Sequence, residues 1–393
     1  MLAVVAILLL AFNLRLAVSG IPPILADLGL GSAEQSLLVT VPVLCFGLAA
    51  LAGPWLRRRL GEEQLLLVVI AALGVGLAIR AAWPQSGLFP GTVVAALAVA
   101  IMNVVVPAVV RGRFADHAAA MTSAYTVSLS VGAGLAAGLT VPILHGTSSL
   151  HFALGVWALP AALAGLVWLT QVTHWRPTSA QRQSANAVTR GPRIRLWSSP
   201  VAWGVTAFFG MQSLVYYAIL SWLPSVYRAK GDSPASAGFL LAIMATIGIL
   251  GNLAGPALAS RTRDQRLAVL VGVSLTVVGL LGVLLGSLST AVVWVCVLGV
   301  GTGATFSVAL LLVVVRSANA VTAVRLSAMA QGTGYLIAAM GPLALGLVRA
   351  ASGGWNIPLI LILGVLILEV LPGLVAARAW SVGPMDPTSP RQP

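Results

Sequence analysis

A single arginine, Arg15, interrupts an apolar run from Ala3 to Ile21 in which Asn13 and Ser19 are the only other polar residues. In a bilayer-spanning helix it would sit three residues past the middle of that run, a displacement of about 4.5 Å at helical rise. That leaves it on the order of 10 Å from the edge of a ~30 Å apolar core, a long reach for a snorkelling side chain. An arginine at such depth costs about 2.5–3.5 kcal/mol on the insertion scale, so a charge kept there faces a cavity or a partner. The chemistry it offers is anion recognition, because the planar guanidinium holds a carboxylate, nitro or similar group through two parallel hydrogen bonds.

Other polar side chains inside apolar stretches are candidates for the rest of a binding site. Ser19, at i+4, shares the helix face of Arg15, whereas Asn13 lies about 200° round the helix and faces elsewhere. Gln212 and Tyr216 are one turn apart, as are Gln331 and Tyr335; Tyr125 is flanked by Thr122 and Ser128, and Asn103 precedes Pro107. Thr302, Thr305 and Ser307 read as hydroxyls bonded to their own backbone. Arg80, close to Trp83, reads as a cation that snorkels to the interface beside an aromatic anchor. Of the nine acidic residues only Glu369 lies within an apolar stretch, which makes it the sole candidate for a proton-coupling carboxylate. Such a shortage of carboxylates suits an anionic or neutral polar ligand, not an organic cation.

Enzymatic and metal chemistry find little support. No acid/base pair or nucleophile–histidine arrangement falls within the apolar stretches. His117, His145, His151 and His174 form no ligand pattern, and Cys45 and Cys296 lie in separate apolar stretches. Neither a cofactor nor a metal is expected.

These residues need a scaffold, and composition supplies it. The 393 residues are 59% hydrophobic and 8% charged, where soluble proteins carry roughly 25% charged residues. The chain reads as an all-α integral membrane protein with spans near 2–22, 36–56, 65–83, 91–110, 120–142, 152–171, 200–226, 236–258, 267–286, 291–315, 326–348 and 357–377. The first begins almost at once without a basic segment, so it reads as a membrane helix, not a cleaved leader. The net charge of +13 reflects loops that orient helices, and no nucleic-acid partner is expected. Of the 22 basic residues, Arg228, Lys230 and Arg349 lie at one end of the spans and Arg15 and Arg80 within them; all others lie at the opposite end or in the linker and tail. By the positive-inside rule both termini are cytoplasmic.

An internal repeat divides the chain. Leu51–Leu56 (LAGPWL) and Leu253–Leu258 (LAGPAL) end spans 2 and 8, 202 positions apart. Pro23 and Pro224 are read as ending spans 1 and 7, 201 apart, and Val109-Val110-Arg111 and Val314-Val315-Arg316 end spans 4 and 10, 205 apart. The expected organisation is a six-helix bundle over 1–171, a basic linker over 172–199, a second six-helix bundle over 200–377 and a tail over 378–393. Parallel six-helix repeats are the design of the major facilitator fold, with a substrate site between the halves at mid-membrane. An offset of 201 pairs Arg15 with Tyr216, or with Tyr217 after a one-residue slip, at matching depth on opposite sides of that site. Gly134 and Gly138, Gly251 and Gly255, and Gly299 and Gly303 have the spacing of close helix contacts.

Several segments resemble one group of this superfamily, the cyanate and 2-nitroimidazole transporter-like proteins. They are Asn13–Arg15, Thr40–Gly47, Phe208–Ser213, Ser221–Pro224, Arg263–Arg266 and Arg325–Gly332. The resemblance implies secondary transport across a bacterial-type inner membrane by alternating access, with a small-molecule substrate, protons or a counter-solute as coupling partners, and a monomeric carrier; the alternative is an exporter of drugs or nitroaromatic compounds, which needs a larger apolar cavity. Two departures stand out. Leu16 occupies the place of the group's usual proline, so the first helix is expected to bend less there. In Arg58-Arg59-Leu60-Gly61, Arg58 stands where the superfamily carries the aspartate of a cytoplasmic latch.

Overall fold

A segment crossing a bilayer must satisfy its own backbone polar groups, which a continuous helix does. The computed structural model describes residues 2–60, 62–114, 118–172, 196–261, 264–380 and 382; for 51–60, 108, 111–113, 118–120, 122–123, 172 and 320 it describes the backbone alone. Among these residues twelve helical spans are long and apolar enough to cross a membrane. They are α1 (Leu2–Leu28), α2 (Ser32–Ala50), α3 (Glu62–Ala82), α4 (Leu88–Pro107), α5 (Ala124–Thr147) and α6 (Leu150–Gln171), then α7 (Pro200–Ala229), α8 (Pro234–Ala259), α9 (Arg266–Leu285), α10 (Leu288–Val315), α11 (Val321–Ser352) and α12 (Asn356–Ala376). The linker expected over 172–199 and the tail over 378–393 fall mostly outside the described residues, as do the side chains of Arg58 and Arg59.

Two helix ends differ from expectation. The α-helical part of α1 runs unbroken from Leu2 to Ser19, past Leu16, and the break comes at Gly20, followed by the turn Ile21–Ile24 and the 3-10 turn Leu25–Leu28. Pro22 and Pro23 cannot donate N–H groups to the last turn before the break. The lengthened span brings Arg15 to its midpoint. Helix α7 continues through Pro224 to Ala229 instead of ending there.

Side chains facing lipid are left apolar: Ile360, Ile367, Leu368 and Leu371 of α12 are all more than half exposed. Helices meet each other through small residues. A Cβ on Gly251 would strike the Val300 carbonyl, and one on Gly303 the Gly248 carbonyl, so α8 and α10 touch backbone to backbone. The two sixfold sets meet along α5–α8 and α2–α11. There a Cβ on Gly238 would lie 2.7 Å from the Ala137 carbonyl, and one on Gly47 2.9 Å from Leu336.

Three cations close helix ends. Arg80 does not snorkel: it is 2% exposed, and its Nη1 donates to the Ala17 carbonyl of α1 at 3.0 Å. Gly91 makes room for it, since a Cβ there would lie 2.7 Å from Arg80 Cγ. A cation at the carbonyl end of a helix is favourable, and this one ties α3 to the break in α1. Arg316 donates to the Ala376 and Ala377 carbonyls at the end of α12. Lys230 donates to the Val283 and Leu284 carbonyls in the last turn of α9 and to the Gly286 carbonyl just beyond it. Burial pushes the pKa of both groups down, the nearby Asp264 opposing this at Arg316.

Candidate functional site

The repeat offset reappears as physical contact. Arg15 Nη1 of α1 donates to the Tyr216 hydroxyl of α7, a pair 201 residues apart, and its guanidinium carbon lies 4.8 Å from the Tyr216 ring centroid. A second pair has the same separation: Arg228 at the end of α7 holds Asp27, in the 3-10 turn of α1, through two hydrogen bonds of 3.0 and 3.1 Å. Residues equivalent under a two-fold rotation touch only where they flank its axis. The axis therefore runs between α1 and α7, and the two pairs mark points along it about 18 Å apart at helical rise.

Around Arg15 the walls are aromatic. Tyr216, Tyr217, Tyr335 and Tyr125, four of the chain's five tyrosines, surround its guanidinium. Phe306 lies 6.0 Å from the guanidinium carbon. Behind these rings a continuous network links Tyr216 to Tyr217 (5.2 Å between centroids), Tyr217 to Phe46 (5.9 Å), Phe46 to Tyr335 (5.6 Å) and Tyr335 to Phe209 (5.3 Å). All four pairs are edge-on or tilted, the arrangement that aromatic quadrupoles favour. Arg15, Tyr125, Tyr216, Phe306 and Tyr335 are half-buried, and so line accessible space; Phe46, Phe209 and Tyr217 are buried behind them. Among the described residues no carboxylate is paired with Arg15.

The remaining candidates are distributed unevenly. Gln331 is half-buried, one turn from Tyr335, and donates to Ser327 Oγ at 2.7 Å. Gln212 does not pair with Tyr216: it is 2% exposed, and its amide donates to the Phe209 carbonyl and Ser213 Oγ, both within α7. Ser19 shares the face of Arg15 but is fully buried, with no partner for its hydroxyl among the described residues. Asn103 is half-buried in α4. Asn13 turns away from Arg15 and donates to the Leu9 and Pro160 carbonyls. Ser128 donates to the Leu8 carbonyl, fastening α5 to α1, and Thr302, Thr305 and Ser307 bond backbone carbonyls of α10. The Thr122 side chain lies outside the described residues.

Glu369 is fully buried in α12, and neither carboxyl oxygen has a partner among the described residues. Gly373, one turn on along the same face, packs on Val269 of α9 and Phe208 of α7. Glu369 thus faces the interior of the second helix set, behind α7 as seen from Arg15.

Sequence reasoning missed Phe46, Phe209 and Phe306, and treated Tyr217 only as a one-residue slip of Tyr216. Phe46 and Phe209 stand inside the motifs Thr40–Gly47 and Phe208–Ser213, which was the available signal. Phe306, between two backbone-bonded hydroxyl residues, offered none.

Comparison with known proteins agrees with this architecture. Residues 3–342 match the Major Facilitator Superfamily. The chain is 34% identical to the 2-nitroimidazole transporter of Escherichia coli (strain K12), over 95% of each chain. It is 29% identical to the cyanate transport protein CynX of the same organism, over 93% of this chain and 95% of that one. Among solved structures, a bacterial homologue of the human lysosomal transporter Spinster, inward-facing and unoccupied, superposes with a TM-score of 0.73 at 14% identity, covering 96% of both chains. Twelve apolar spans, an offset carried into contacts between the halves and these matches lead to one conclusion: the chain belongs to the major facilitator superfamily and is a membrane transport protein, not an enzyme.

Proposed function

We propose that the chain is a secondary transporter that moves a small anionic or polar solute, cyanate-like or bearing a nitro or carboxylate group, by alternating access, with Arg15 as the electropositive anchor. The observation that carries this reading is Arg15 itself. It is a mid-span cation on the pseudo-two-fold axis, partly accessible and bonded to a neutral tyrosine across the two halves, with no carboxylate partner among the described residues. A buried charge left uncompensated is expensive, and an anionic substrate would offset that expense each time it binds. Relatives named for 2-nitroimidazole and cyanate transport fit a ligand that presents electronegative oxygen or nitrogen to a guanidinium.

With basic loops on the cytoplasmic side, as proposed from charge, both termini are cytoplasmic and the Asp27–Arg228 pair lies at the outer end. Contacts between the halves from that pair down to Gly47 then correspond to a state closed to the outside. The test is uptake of labelled cyanate and labelled benzoate, measured in parallel, by proteoliposomes. Arg15→Ala is expected to reduce uptake to background with unchanged yield of folded protein; undiminished uptake by that variant would refute the assignment.

A further inference from the structure

We infer that the solute is an aromatic monocarboxylate, bound with its carboxylate on Arg15 and its ring against the half-buried faces of Tyr216, Phe306 and Tyr335. This rests on the anion-anchor reading of Arg15 and narrows it to one substrate class. Two independent features of the same space carry it. The first is charge: one guanidinium, capable of two parallel hydrogen bonds to a carboxylate, with no competing carboxylate among the described residues. The second is the wall. Half-buried rings from α5, α7, α10 and α11 surround Arg15, and rings of α2 and α7 back Tyr216, Phe306 and Tyr335 at centroid distances of 5.2–6.3 Å.

A three-atom anion would satisfy Arg15 and leave this wall facing water. Apolar walls that only packed helices together would be met as economically by leucine and valine, both abundant in the rest of the chain. Ring edges and faces at these separations give an aromatic ligand attraction beyond its buried area, while the tyrosine hydroxyls give ring substituents a hydrogen-bonding partner. The predicted ligand is flat, singly negative and about one ring in size.

The experiment is equilibrium binding to the purified full-length protein in detergent, with benzoate, cyclohexanecarboxylate, benzamide, cyanate and 2-nitroimidazole as probes. Benzoate should bind at least tenfold more tightly than cyclohexanecarboxylate, which has the charge but no π system, and benzamide, which has the ring but no charge, should not compete. Phe306→Leu should weaken benzoate more than cyclohexanecarboxylate and so shrink the gap between the two; an unchanged ratio of their affinities in Phe306→Leu would count against the ring wall. Equal affinity for benzoate and cyclohexanecarboxylate, competition by benzamide as strong as by benzoate, or binding confined to 2-nitroimidazole would overturn the aromatic-acid assignment. Cyanate binding that is lost in Arg15→Gln, without any benzoate binding, would overturn this inference and leave the anion anchor standing. Benzoate binding undiminished in Arg15→Gln would bring down both.

Discussion

Arg15 and Arg80 belong to the same half of the protein, and both lie inside membrane spans, yet they are held in opposite ways. Arg80 is almost wholly buried, donates to a backbone carbonyl of α1, and has its stem accommodated by Gly91. Its contacts stay within one set of six helices. Arg15 is half-buried, donates to a side-chain hydroxyl, and its partner belongs to the other set. A cation that closes a helix end is part of the scaffold, whereas a cation resting on a tyrosine in accessible space is available to a ligand. The identity of the partner, more than depth in the membrane, separates the two roles.

That contrast can be broken experimentally. The largest effect after loss of transport in Arg15→Ala is expected from Arg80→Ala. It removes a packed side chain and strands the Ala17 carbonyl, with a stability loss of about 2–4 kcal/mol from cavity and unsatisfied-acceptor terms. Thermal unfolding in detergent would show it as a clear fall in Tm, and the protein that remains folded should keep its substrate affinity. An Arg80→Ala protein of normal Tm but altered affinity would erase the distinction between the two arginines.

A smaller effect is expected from Tyr216→Phe, which keeps the ring and deletes the hydroxyl that Arg15 contacts. A hydrogen bond to a charged group contributes about 1.5–3 kcal/mol. Part of it is recovered when Arg15 turns to the ligand, so the apparent Kd for a bound anion should change by less than about tenfold. Loss of all binding in Tyr216→Phe would make the tyrosine, not the arginine, the principal contact.

The smallest effect on transport is expected at Glu369. Its carboxyl is buried behind α7 without partners among the described residues, and replacing an unsatisfied polar group by an apolar one of similar size is neutral to stabilising. Glu369→Leu should leave uptake and its pH profile unchanged and hold or raise Tm. Abolished uptake, or a flattened pH profile, would instead make this carboxyl part of the coupling mechanism.

Much of the scaffold was legible in the sequence because spans and repeats are one-dimensional signals. The apolar stretches lie close to the observed helices, and the 201-residue offset that joins Arg15 to Tyr216 also joins Asp27 to Arg228. What sequence obscured were preferences settled by three-dimensional neighbours. Arg80 looked like an interfacial cation because Trp83 is close in sequence, but the helix end of α1 offers it a carbonyl that no local pattern encodes. Gln212 is on a plausible face, yet Ser213 and the Phe209 carbonyl satisfy its amide within the same helix. The aromatic wall draws on α2, α5, α7, α10 and α11, so no single stretch contains enough rings to signal it. The break in α1 follows Gly20, Pro22 and Pro23, and the missing proline at Leu16 only explains why the helix stays straight past Arg15.

The central claim is that Arg15 is retained for a ligand and not for the fold. The melting temperature of ligand-free Arg15→Gln, measured beside the wild type in the same detergent, tests it without any knowledge of the substrate. The variant sheds an uncompensated, partly buried charge, and groups kept for function commonly reduce stability. Its Tm should therefore equal or exceed that of the wild type. A fall as large as that of Arg80→Ala would contradict the account and make Arg15 a structural cation like its neighbour.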